Sequence, residues 1–126
     1  MVEEEINGKM TLNQPAGHLE SGESLIEAVI RETREETTWT FKPTALVGIY
    51  RWQIPDNGKT YIRYCFTGNA IQADPRLELD PDIHQVLWLD QQQLTPREKE
   101  FRSPLVQDCL NDYLAGHRYP LILLHN

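Results

Sequence analysis

Basic residues are scarce in this sequence: 12 lysines and arginines stand against 19 aspartates and glutamates, a formal net charge of −7. That balance argues against non-specific binding to long nucleic acid, which needs basic surface to displace counterions. It leaves room for a small phosphorylated ligand, provided something cationic bridges the repulsion. Long apolar runs are missing as well, and none approaches the roughly 18 residues that a bilayer span needs. The opening Met1-Val2-Glu3-Glu4-Glu5 is acidic and carries no signal-peptide pattern. Cysteine is almost absent. Cys65 and Cys109 lie alone in apolar surroundings without CxxC spacing, so reduced core thiols in a cytoplasmic protein with no membrane contact are the expectation.

What is present suits a globular fold. The 126 residues are 40% hydrophobic and 25% charged, enough for one domain with a core that needs no disulfide. No internal repeat or linker divides the chain, so residues 1–126 are expected to form a single domain. Asn7-Gly8 signals a hairpin turn. Ala45–Trp52 and Thr60–Thr67 read as strands around a Pro-Asp-Asn-Gly turn at 55–58. Gln85–Asp90 reads as a short strand and Pro96–Ser103 as a polar connection. Ser103-Pro104 opens a helix that Gly116 stops, and Tyr119–Leu124 reads as extended. This order predicts an α/β or α+β sandwich.

The chemistry concentrates on residues 24–37. Ser24 and Glu27 form a capping-box pattern. At about 100° per residue, Leu25 and Val29 share an angular sector with Glu32, Glu35 and Glu36. One stripe therefore begins apolar and ends in carboxylates. Burying such charges is costly, so a stripe that is apolar one turn earlier suggests acids facing a cleft. Hard oxygen ligands gathered in a cleft suit Mg²⁺ or Mn²⁺.

The wider spacing is more specific. Gly17 is followed after five residues by Glu23, after seven more by Arg31-Glu32, and after two more by Glu35-Glu36. This resembles the Nudix box, and chance agreement at these positions is on the order of 10⁻⁷ to 10⁻⁸ per starting point. Two positions depart from that pattern: Thr33 stands at an aliphatic position and Thr38 at a glycine. The glycine position calls for positive φ, which threonine tolerates poorly. The flanking pieces Asn13–Glu20, Arg102–Val106 and Gly116–Leu121 resemble one bacterial branch of that family, the NudJ phosphatases, and the likeness covers nearly all of the chain.

The resemblance implies a Nudix-type α/β/α sandwich with a mixed sheet. It implies a metal-dependent hydrolase of nucleoside tri- and diphosphates and related small pyrophosphates, including the pyrimidine pyrophosphate of thiamine biosynthesis, with release of phosphate. A strict cleaver of X–P–P–Y compounds and a non-catalytic nucleotide sensor are the alternatives. By the same resemblance, Glu32, Glu35 and Glu36 ligate Mg²⁺ with the main-chain carbonyl of Ala16. Arg31 pairs with Glu23 and orients the acids, and Gly17 meets a backbone requirement of its loop. A helix glutamate is the expected general base, with Asp82 a loop alternative. On the two central strands, Arg51 and Arg63 are candidate phosphate clamps, and Trp52 can stack on a base or pack in the core. Family members carry about twenty residues before the Asn-Gly hairpin. The chain is thus expected to lack the usual opening strand and to expose sheet surface that a homodimer would cover.

Overall fold

The computed structural model describes residues 1–126. The chain opens with strands β1 (Val2–Ile6) and β2 (Lys9–Asn13). Asn7 and Gly8 turn between them with φ of 51° and 77°, the left-handed pair that an Asn-Gly hairpin requires. Helix α1 (Leu25–Thr37) follows. Ser24 caps it, accepting from the Glu27 N–H, while the Glu27 carboxylate accepts from the Ser24 N–H. Then come β3 (Trp39–Gln53), β4 (Thr60–Ala73) and β5 (Ile83–Val86). A short helix α2 (Gln91–Leu94) runs into a 3₁₀ turn at Thr95–Glu100, and α3 (Pro104–Leu114) completes the main elements.

The strands form two sheets, in the orders β2-β1-β5 and β3-β4. The expected mixed sheet is not what forms: β1–β2, β1–β5 and β3–β4 all pair antiparallel. Parallel pairing is confined to one bridge between Leu12 and Phe101. For β1–β2 and β3–β4 the reason is connection length. Tight hairpins join β1 to β2 and β3 to β4, and such turns can only reverse the chain, whereas parallel pairing needs a long crossover. The segment at Phe101 arrives by such a route but leaves into α3 within three residues. The architecture is accordingly a mixed α/β fold, with α1 and α3 each packed against the β3–β4 ribbon.

Several boundaries differ from the sequence expectation. Both ribbon strands run longer, because Pro43 sits at a register shift where no ladder N–H is needed. Opposite it lies Gly68, where a Cβ would collide with the Lys42 carbonyl. The strand expected at 85–90 begins at Ile83 and ends at Val86, because Asp90 instead caps α2 through its contact with the Gln93 N–H, 2.9 Å. The polar connection at 96–103 is mostly 3₁₀. The final segment bridges Leu46 at Tyr119, and its extended backbone at Pro120 and Leu124 is interrupted by a 3₁₀ turn at Leu121–Leu123.

The core holds Val2, Leu12, Leu46, Val47, Val106 and Cys109, each under 2% exposed. Glu3 and Glu4 are buried beside it and are paired. Glu3 accepts from Gln85 (2.8 Å) and Arg97 (2.9 Å), and Glu4 accepts from Arg102 (2.6 Å). Cys65 is half-buried and both cysteines are free thiols. No helix is long and apolar enough to cross a membrane.

Candidate active site

The loop after β2 and the inner face of α1 meet at a hydrogen bond. The Ala16 N–H donates to Glu36 Oε1 at 2.8 Å. Glu36 is 8% exposed. Burial pushes its carboxyl up to about 7; the Ala16 N–H offsets this in part, while the charges of Glu4, Glu32 and Asp80 add to it. A carboxylate so placed lacks a cation of its own. Glu32 and Glu36 line a cavity of about 820 Å³ together with Glu4, Ala16, Gly17 and Arg102. The apolar part of the α1 stripe, Leu25, Ala28 and Val29, lines the same cavity.

Arg31 organises the acids from beside the cavity. Its Nε and Nη2 donate to the two oxygens of Glu23 at 3.0 and 2.7 Å, the expected pairing. Its Nη1 donates to Glu32 at 2.7 Å and to Glu35 at 3.2 Å. A further contact from Nη2 to the His18 carbonyl, 3.0 Å, ties the loop to the helix. These contacts hold Glu23 below the usual carboxylate range and raise Arg31 further above its own. A planar guanidinium can serve these five acceptor oxygens in fixed directions, which a lysine could not.

Gly17 has no positive φ, so its loop does not need glycine there for left-handed backbone. A Cβ there would overlap the Glu32 carboxyl group. The glycine leaves the space that this carboxylate fills.

The acids are not equivalent. Glu35 is 50% exposed on its side chain, held by Arg31, and lies outside the cavity. No three acidic, cysteine or histidine side chains converge closely enough to encage an ion as they stand. The donor set nonetheless has the right chemistry for a hard divalent cation, with oxygens of Glu32 and Glu36 and an uncompensated buried charge between them.

The other candidates separate. Trp52 and Arg63 line the cavity, and Trp52 stacks on Tyr61 with ring centroids 6.3 Å apart. Arg51 does not: it is exposed and absent from the cavity wall, because alternation along β3 turns it away from the face that carries Trp52. Asp82 is exposed, and the neighbouring acid whose charge reaches Glu36 is Asp80. Three contributors escaped the sequence reading. Glu4 fell within the acidic start, Asp80 carried no reading, and Arg102 entered only through the flanking piece Arg102–Val106. The β1 pairing that brings Glu4 to the site has no local signature.

Comparison with known proteins agrees with this geometry. The family model described as NUDIX domain matches residues 3–109. Proteins described as phosphatase NudJ from Escherichia coli (strain K12) and Shigella sonnei are each 38% identical over 124 residues, spanning 98% of this chain and 80% of theirs. A solved NUDIX hydrolase from Nitrosomonas europaea superposes with a TM-score of 0.94 at 45% identity, covering 99% of this chain and 85% of that one. The likeness thus runs through the β2 loop, the acid-bearing helix and the ribbon alike, and the chain belongs to the Nudix hydrolase family, as an enzyme acting on phosphoric anhydrides.

Proposed function

We propose that the chain is a Mg²⁺-dependent hydrolase of nucleoside tri- or diphosphates and related small pyrophosphates, releasing phosphate in the cytoplasm. The observation that carries this reading is Glu36: a buried carboxylate pinned by Ala16 and crowded by other acids, with no side-chain cation paired to it. A group of that kind is stabilised by a divalent cation, and the family generally depends on one. The relatives described as phosphatases supply the direction of the chemistry.

Glu36 and Glu32 would hold the ion, with Ala16 offering its carbonyl and Glu35 standing at the rim. A bound cation supplies neutralisation of the phosphate charge and a lowered pKa for attacking water. The chain's own residues do the rest. Arg31 keeps Glu32 and Glu35 oriented, and Gly17 keeps the space in which Glu32 sits. Glu36 keeps its oxygen aimed by the Ala16 N–H. A helix glutamate takes the proton from water. Catalysis of phosphoryl transfer by positioning and electrostatics needs no covalent intermediate. Trp52 and Tyr61 offer aromatic surface for a base.

The test is a substrate panel with phosphate detection, with and without Mg²⁺. Stepwise release of inorganic phosphate from nucleoside tri- and diphosphates supports the reading. Pyrophosphate or paired monophosphates as products would assign the chain to X–P–P–Y cleavage instead, and no turnover with any divalent ion would make it a binding protein.

A further inference from the structure

Asn13 ends β2 with only 6% of its surface exposed, yet it lines the cavity. Its side chain makes one hydrogen bond, from Arg63 Nη2 to Asn13 Oδ1 at 3.3 Å. Arg63 Nη1 also donates to Gln14 Oε1 at 3.2 Å, and Gln14 Nε2 donates onward to the Val106 carbonyl at 3.0 Å. A guanidinium only donates, so these contacts decide which side of each amide carries oxygen. Gln14 is then satisfied at both ends. Asn13 is not, because its Nδ2 has no protein partner. No fully enclosed side-chain nitrogen lacks a partner, so this amino group is open to the cavity. Water meets such an open donor until a ligand takes its place, and a ligand without an acceptor oxygen there would leave the donor unpaired.

The surroundings indicate which oxygen. Tyr61 lies two residues before Arg63 on β4 and therefore on the same strand face. It stacks on Trp52 at an interplanar angle of 26° and approaches His18 with ring centroids 6.2 Å apart. All of these residues border the cavity. Asn13 is three residues from Ala16, a separation of at most about 10 Å. An uncharged donor beside aromatic faces suits a ring rather than a phosphate. Arg63 donates to two amides, through Nη1 to Gln14 and through Nη2 to Asn13.

We propose that Asn13 is a specificity-determining residue whose amino group donates to a carbonyl oxygen on a planar heterocyclic ring of the substrate, and that Arg63 is the positioning residue that aims it. The proposal rests on the hydrolase reading above and deepens it by naming what holds the base. Asn13→Asp tests it with little change of shape. The variant keeps an oxygen for Arg63 and replaces the amino donor with an acceptor. Two probes are titrated by calorimetry in Mg²⁺: α,β-methylene uridine diphosphate, which carries a ring carbonyl, and methylenediphosphonate, which carries no ring.

The unaltered protein should prefer the nucleotide probe, and Asn13→Asp should reduce that preference about tenfold. Arg63→Lys, which cannot bridge both amides, should reduce it in the same direction. In turnover, both substitutions should act on KM for uridine diphosphate more than on kcat. Equal weakening of both probes, or an unchanged preference in folded Asn13→Asp, overturns the proposal. So does an unaltered protein that does not distinguish the probes. Failure to hydrolyse any nucleotide would overturn the hydrolase reading, while the binding ratio would still decide the role of Asn13.

Discussion

At the scale of single residues, the site is governed by how much negative charge the fold tolerates at Glu36. Its carboxyl is raised to about 7 in the folded protein from an ordinary value of 4.5. The folded state therefore holds this proton more tightly than the unfolded state. As pH rises from about 4.5 to about 7 the unfolded chain ionises first, so this contribution to stability is present below 4.5 and lost through that window. The loss is of order 1 kcal/mol once solvent screening is discounted. Glu36→Gln keeps an oxygen for the Ala16 N–H and removes the charge. Metal-free melts at pH 5 and pH 8 should show the unaltered protein losing more stability across that range than the variant. Mg²⁺ at pH 8 should raise the Tm of the unaltered protein more than that of the variant, and activity should fall at least about 100-fold in the variant. An unchanged rate at saturating Mg²⁺ would remove Glu36 from the site.

Gly17 is a second residue whose role is local. Because a Cβ would overlap the Glu32 carboxyl, Gly17→Ala should displace that carboxylate from Arg31. The expected result is a folded protein with kcat/KM lowered at least about tenfold, in the range for a disturbed metal-site partner. Activity within twofold would show that Glu32 can serve from another position.

At the scale of elements, α1 shows most clearly what could be read in advance and why. Its start was legible because a capping box is a local pattern of Ser24 and Glu27. Its acid stripe was legible because helical spacing puts Glu32 and Glu36 below Leu25 and Val29. The exposure of Glu35 was not, since the width of the buried stripe depends on what packs against the helix. The length of β3 was hidden for a related reason. Pro43 and Gly68 each look like strand breakers alone, and only their pairing across a bulge makes both acceptable. Glu4 was hidden because β1 reaches the site only after the sheet forms.

The end of α1 carries a testable strain. Thr38 has φ 67° and ψ −1°, the left-handed conformation that the pattern reserves for glycine. The backbone holds it there from both sides: its N–H donates to the Arg34 carbonyl at 2.8 Å, and its carbonyl accepts from the Asp74 N–H at 3.0 Å. Thr37 closes the turn by accepting from the Trp39 N–H at 3.1 Å. Thr38→Gly should keep these bonds and relieve the strained side chain, a gain of roughly 1 kcal/mol offset in part by the freer unfolded chain. Urea denaturation measures it. A variant less stable than the parent would mean that the threonine methyl or hydroxyl contributes more than the strain costs.

At the scale of the whole molecule, the two sheets leave pairing capacity unused. In its sheet β4 pairs only with β3, so its outer edge has no strand partner. The ribbon face turned away from Tyr50 and Arg63 exposes apolar side chains around Arg51: Ile49, Ile62 and Tyr64 are 56%, 53% and 37% exposed. Ile49 and Tyr64 are register partners, and Ile62 lies two pairs further along opposite Arg51, so the three adjoin on one face. Water can satisfy the N–H and C=O groups of an open edge, but it gains nothing from the apolar side chains beside them. An uncovered apolar edge strand is a template for another chain. A patch that pairs with its own copy closes the assembly as a symmetric dimer. We therefore expect concentration-dependent self-association, seen as a rising mass by light scattering across a dilution series. Ile49→Lys places a charge on the patch at a residue that is not part of the cavity wall. It should hold the protein monomeric while leaving its melting temperature within a few degrees. A parent that stays monomeric at every concentration would show that this surface is tolerated uncovered. A variant that still dimerises would place the interface elsewhere.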